Sequence, residues 1–119
     1  MGLIDLHTHT LLTDGELIPA ELVSRARVNG YTAIGLTDHV DASNLEWIAE
    51  AMLRAAEALN RHQTVTVIPG VELTHVPPSQ ILNWPSALAS WVCRSCALTA
   101  RRPPSRSPLA RTMLLWKPR

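Results

Sequence analysis

Two histidines one residue apart close an apolar run near the start of the chain, Leu3-Ile4-Asp5-Leu6-His7-Thr8-His9. Side chains of a strand alternate between its faces, so in an extended segment His7 and His9 point the same way and can hold one metal ion between their rings. A bare pair of this kind is often only two solvated imidazoles. Here it does not stand alone. Asp14-Gly15 follows five residues after His9, in a turn-forming Thr-Asp-Gly. Gly35-Leu36-Thr37-Asp38-His39 closes a second apolar run, and a third, from Thr64 to Pro69, leads into Pro69-Gly70-Val71-Glu72. Each of three strand-like segments thus delivers a metal-competent side chain at or just past its C-terminal end.

When parallel strands alternate with helices, their C-terminal ends form one face, and the loops there converge on a shared site. His7, His9, Asp14, His39 and Glu72 can therefore meet in space although they are distant in sequence. Imidazole with carboxylate suits Zn, Mn or Fe, and a carboxylate such as Glu72 can bridge two ions. The set reads as a multinuclear hydrolytic site.

The segments between these residues supply the elements that would position them. Pro19 sits where a first helical residue is favoured, Leu22, Val23 and Ala26 fall on one face, and Gly30 stands at the stop position. Ser43 and Glu46 have capping-box spacing, after which Leu45, Ile48, Ala49, Met52, Ala56 and Leu59 recur with helical period. Strand, helix, strand, helix, strand implies an α/β fold with a parallel sheet and right-handed crossovers. The two helical stripes read as core packing and carry no chemistry.

Taken together, Asp5-Leu6-His7-Thr8-His9-Thr10, Asp14-Gly15, Gly35-Leu36-Thr37-Asp38-His39 and Pro69-Gly70-Val71-Glu72-Leu73-Thr74-His75 resemble, in order and spacing, the opening motifs of the PHP (polymerase and histidinol phosphatase) family of metal-dependent phosphoesterases. The resemblance covers residues 2 to about 82. It implies the N-terminal portion of a distorted seven-stranded (β/α) TIM-like barrel, incomplete in this chain. It also implies phosphate monoester hydrolysis of the histidinol-phosphatase kind, with a metal-activated water as nucleophile and two or three divalent ions (Zn, Mn or Fe). By the resemblance His7, His9, Asp14, His39 and Glu72 match metal ligands, with Glu72 bridging. Asp38 would orient a ligand imidazole. His75 is left ambiguous, and the implied partner is a small phosphorylated substrate.

Past residue 82 the chain changes character. All ten acidic residues and four basic ones lie in 1–82, formally −6, whereas 83–119 hold seven basic residues and no acidic one, formally +7. The second part also carries both cysteines, three of the four tryptophans and five of the nine prolines, and it shows no helical or strand period. Cys93-Arg94-Ser95-Cys96 has CxxC spacing but lacks a second ligand pair. Read one base earlier, with silent positions chosen freely, the codons of this part permit an amphipathic helix, an apolar strand ending in His-Gly-Glu and a Pro/Gly loop. Trp84, Trp91, Met113 and Trp116, whose codons are unique, anchor part of that shifted text. The expectation is a domain piece in 1–82 followed by an out-of-frame, irregular, basic Pro/Arg/Ser-rich tail. A chain so divided would lack later ligands, leave a strand edge uncovered and be inactive as written.

Two other readings stay open. Metal-dependent amidohydrolases also begin with a His-x-His strand in a barrel, although the Thr-Asp-His and Pro-Gly-Val-Glu motifs suit the PHP family better. In a non-enzymatic reading, Arg101-Arg102-Pro103-Pro104-Ser105-Arg106 belongs to a nucleic-acid-binding arm on a metal-binding domain. Residues 1–20 contain no basic leader region, and no run of 18 apolar residues occurs. A cytoplasmic protein without membrane contact is the default expectation.

Overall fold

A computed structural model describes residues 2–81, 97–101 and 113–115 of the chain. The element order is β1 (Leu3–Thr8), α1 (Pro19–Val28), β2 (Tyr31–Val40), α2 (Leu45–Asn60), β3 (Thr66–Thr74), a single turn α3 (Pro78–Ile81), β4 (Ala97–Arg101) and β5 (Met113–Leu115). The sheet runs β1-β2-β3-β4-β5, with β1 to β4 mutually parallel and β5 antiparallel to β4. The α/β alternation expected from the sequence is present. The described sheet is open, and no strand among the described residues closes it into a barrel.

Helix α1 starts with Pro19 as its first residue, where the missing N–H costs nothing. It ends with Gly30 at φ 83°, a left-handed conformation that glycine adopts without a Cβ penalty. Val23 and Ala26 are buried and Leu22 packs at the core margin. In α2 the expected stripe of Leu45, Ile48, Ala49, Met52 and Ala56 is buried, with Leu59 at its edge. Burial of each large side chain in such a stripe stabilises the layer by about 1.5–3 kcal/mol. The opposite faces carry the ion pairs Arg25–Glu21, Arg54–Glu50 and Arg61–Glu57, one helical turn apart and exposed. Asn60 fastens the end of α2 to β3 by donating to the Val67 carbonyl at 2.9 Å and accepting from the Val67 amide at 2.8 Å.

Three local expectations are corrected. Ser43 and Glu46 form no capping box: Asn44 is the N-cap, without a side-chain capping bond, and the Ser43 hydroxyl and amide both donate to Asp41 Oδ1. The Asx-type turn at Asp41 captures the hydroxyl that a helix start one residue earlier would have used. Strand β3 does not stop at Pro69. It runs on to Thr74, so that Glu72 lies within the strand. Pro69 is tolerated because it is paired with Leu36 on one side only, while pairing with β4 begins at Gly70. The tail, expected to be irregular, contributes β4 and β5 to the sheet. The outer edge of β3 offers amides and carbonyls to any extended segment, whatever its side-chain pattern. The Cys93–Cys96 pair and the basic stretch from Arg102 to Arg106 lie outside the described residues.

Strand alternation divides the sheet into two faces. Ile34, Leu36 and Val40 of β2 and Val67, Val71 and Leu73 of β3 join the core beneath α1 and α2. The intervening positions, including His39, Gly70, Glu72 and Thr74, belong to the other face. There β2 and β3 pair without interruption from Ala33↔Thr66 to Val40↔Leu73, which sets His39 directly beside Glu72.

Candidate metal centre

Strands β1, β2 and β3 all bring their C-terminal ends to one side of the sheet, and every expected ligand lies there. The two members of the regular pair are placed by register alone. His39 and Glu72 are ladder neighbours, and His39 Nδ1 lies 3.3 Å from Glu72 Oε2. The Glu72 side chain is only 2% exposed.

His7 and His9 reach the same point by a less regular route than the strand alternation expected for them. Strand β1 ends at Thr8, so His9 is already outside it. Between Asp5↔Ile34 and Thr8↔Leu36, β1 advances by three residues while β2 advances by two, which is a bulge. The His7 amide in this bulge donates to Asp5 Oδ1 at 3.0 Å. Gly35 opposite makes room for it: a Cβ there would lie 2.5 Å from the Leu6 carbonyl oxygen. The outcome is close convergence, with His7 Nε2 and His9 Nε2 3.0 Å apart and Glu72 Oε2 at 3.3 and 3.0 Å from them.

Asp14 enters from the loop after β1. Its Oδ1 lies 2.7 Å from His9 Nδ1 and its Oδ2 lies 3.0 Å from His39 Nε2. Gly15 permits the turn to fold back, because a Cβ there would meet the His9 carbonyl oxygen at 2.3 Å. The hydrogen bond from His9 outweighs the opposing effect of burial and, with the charge and hydrogen bond of His39, holds the Asp14 carboxyl below its ordinary range. The His9 and His39 rings meet edge to face at 4.2 Å.

Proton accounting limits the imidazole roles. Carboxylate oxygens only accept, and His9 faces one on each ring nitrogen, Asp14 Oδ1 at Nδ1 and Glu72 Oε2 at Nε2, so with the proton on Nδ1 the Nε2 lone pair suits a cation lying between it and Glu72. His39 Nε2 faces Asp14 Oδ2 at 3.0 Å, which only accepts, so Nε2 donates to it, while His39 Nδ1 meets the Thr74 hydroxyl at 2.5 Å. By position the side chains form two overlapping groups: His7, His9 and Glu72, and His9, Asp14 and His39. Ligand lengths of about 2.0–2.2 Å at tetrahedral angles place neighbouring donors about 3.4 Å apart. The first group, at 3.0–3.3 Å, fits a shared divalent cation.

Asp38 is not where the sequence reading put it. It is fully buried on the core side of β2, on the opposite face from His39, and it bonds to Thr10 and Thr13 rather than to an imidazole. Alternation along the strand decides this: adjacent residues cannot both face the donors. His75 is exposed at φ 57° and belongs to neither donor group. The sequence reading missed Thr10, Thr13 and Thr74. Of these, Thr74 was reachable, since it stands two residues past Glu72 and so on the same face of the strand.

Comparison with known proteins places this geometry in context. The chain is 54% identical over 78 residues to an uncharacterized protein of Methanocaldococcus jannaschii, covering 65% of the chain and 36% of that protein. It is 38% identical over 72 residues to the 5'-3' exoribonuclease Rnm of Salmonella typhimurium, covering 60% and 22%. It is 33% identical over 76 residues to the 3',5'-nucleoside bisphosphate phosphatase of Chromobacterium violaceum, covering 64% and 27%. The chain thus spans little more than a third, at most, of these relatives' lengths. No solved structure matches it. No helix among the described residues is long and apolar enough to cross a membrane. The family profile of the PHP domain matches residues 5–107, running past the change of composition at 82, and with that match over most of its length the chain belongs to the PHP domain family.

Proposed function

We propose that this chain carries the first half of a metal-dependent phosphoester-hydrolysing centre, acting on phosphate monoesters in the manner of a histidinol phosphatase. The observation that supports it most directly is the pair of donor groups joined through His9. His7, His9 and Glu72 would hold one ion, and Asp14 and His39 would contribute to a second. When bound, divalent ions neutralise phosphoryl charge and make a nucleophile of water at neutral pH. The protein's own part is preorganisation. Buried Glu72 supplies a fixed carboxylate, Asp14 orients His9 through Nδ1, and Thr74 holds the His39 ring in place at Nδ1. No side chain is assigned as a covalent nucleophile.

The two relatives with named activities act on RNA and on a nucleoside bisphosphate, both phosphoesters. A small phosphorylated molecule is the substrate proposed here, because residues 1–82 carry a formal charge of −6, which disfavours a long polyanion. The test is phosphate release by the frame-restored protein, with Mn²⁺, Zn²⁺ or Fe²⁺ supplied in turn, from a nucleoside bisphosphate and from 5'-phosphorylated RNA. His9→Ala and Glu72→Ala are each expected to abolish it, and full turnover by either variant overturns the assignment.

The same reading divides the chain near residue 82, with 83–119 translated out of frame. The change in charge and composition at that point supports it. Sequencing the coding DNA across the codons for Ser79 to Trp84 decides the matter. One missing base ahead of a frame that continues to His-Gly-Glu is the expected result, and an intact frame overturns it.

A further inference from the structure

The loop from Thr10 to Gly15 carries Asp14 to the centre, and its inner side rests on a buried carboxylate with no part in the donor groups. Asp38 is 0% exposed. Its Oδ1 accepts from the Thr10 amide at 2.9 Å and from the Thr13 hydroxyl at 2.5 Å, and its Oδ2 accepts from the Thr10 hydroxyl at 3.0 Å. Thr10, also 0% exposed, accepts in turn from the Leu12 amide on its side-chain oxygen at 3.2 Å. Its carbonyl receives the amides of Thr13 and Gly15 at 3.1 and 2.9 Å. Apart from the Leu11 amide, which donates to the Leu17 carbonyl at 2.8 Å, the backbone bonds of the turn lead back to Thr10, and Thr10 and Thr13 to Asp38; Asp14 stands between the two residues, Thr13 and Gly15, that are tied down.

We propose that Asp38 is a positioning residue that latches the Thr10–Gly15 loop to β2, through Thr10 and Thr13, and thereby sets the height of Asp14 against His9 and His39. The link to metal rests on the function proposed above; the latch itself does not. Asp38 lies on the core face of β2 and His39 on the other, so one strand fixes both the imidazole and, through the loop, the carboxylate that faces it. The distance from His39 Nε2 to Asp14 Oδ2 is then determined by strand geometry rather than by a free loop.

Because Asp38→Asn alters a fully buried group, the primary variant is Thr13→Val, which removes one hydroxyl from the partly exposed end of the latch while keeping side-chain shape. Two readouts are taken on the full chain: amide hydrogen exchange, and the affinity for Mn²⁺ alone. The expected result is faster exchange confined to residues 10–15 and an affinity for Mn²⁺ lower by about 10-fold, both restored by Thr13→Ser. In an Asp14→Ala background, Thr13→Val should not lower affinity further, since a latch acting through Asp14 has nothing left to position. Unchanged exchange in the loop, or loosening spread through β2 and α2, overturns the latch. Faster loop exchange with an undiminished Mn²⁺ affinity overturns its link to the centre. A wild-type chain that binds no Mn²⁺ overturns the metal reading, and the exchange data still judge the latch.

Discussion

The β2–β3 pair and the β1 segment with its following loop deliver the same kinds of side chain to the same point by opposite means. Between β2 and β3 the ladder is uninterrupted, both strands are largely buried, and His39 and Glu72 come together as register partners. Strand β1 has β2 as its one neighbour among the described residues and exposes Leu3, Ile4 and Leu6. It carries a bulge at His7 and ends before His9. One half of the centre is placed by a repeating structure that resists small changes. The other half is placed by particular contacts, each replaceable by only a narrow set of residues. A regular parallel ladder cannot converge four side chains from adjacent strands on one point, because strands lie about 4.8 Å apart; the bulge and the folded-back loop close that gap.

The contrast breaks most sharply at Gly35, where the regular half makes room for the irregular one. Gly35→Ala sets a Cβ against the Leu6 backbone at 2.5–2.8 Å, and backbone cannot swing aside as a side chain does. Loss of about 1–3 kcal/mol is expected in urea unfolding, together with a fall in Mn²⁺ affinity as His7 is displaced. Unaltered values for both would show that the bulge does not set His7. Thr74→Val probes the regular half in a subtler way. The hydroxyl that meets His39 Nδ1 is removed while β3 keeps its pairing. Affinity for Mn²⁺ should drop about 10-fold with little change in stability, and Thr74→Ser should recover it. Equal affinities for the Val and Ser variants would show that the hydroxyl does not position His39.

The smallest effect is expected at Ser43→Ala, in the exposed turn between β2 and α2. The Ser43 hydroxyl, then its amide, hold the Asp41 carboxyl below the ordinary aspartate range. A carboxyl depressed on folding contributes stability that is present above its unfolded value, near pH 4, and is lost as pH falls through the lower folded value. Ser43→Ala should therefore cost no more than about 0.5 kcal/mol at neutral pH, and the difference from wild type should vanish in acid. A gap that widens on acidification would contradict the assignment.

Much of this was legible in residue order. Three strands and two helices, the buried stripes Val23/Ala26 and Ile48/Ala49/Met52, and the set His7, His9, Asp14, His39 and Glu72 all follow from period and spacing, because local backbone geometry fixes which residues share a face. Two of the misreadings share one cause, competition from another partner, and the third breaks the alternation of the strand itself. Pro69-Gly70 reads as a stop, yet β2 holds that segment extended. Ser43 reads as a cap, yet Asp41 takes its hydroxyl. Asp38 reads as a companion of His39 because the two are adjacent in sequence, and adjacency in a strand means opposite faces.

Sequence by itself thus determined which chemical groups the chain brings and on which strands they ride, since residue type and local period need no knowledge of distant contacts. Only the tertiary structure decided how those groups meet. The His7 bulge against Gly35, the return of Asp14 onto His9, and the Asp38 hold on Thr10 and Thr13 each join residues that the chain keeps apart, and their spacing depends on packing that no local pattern encodes.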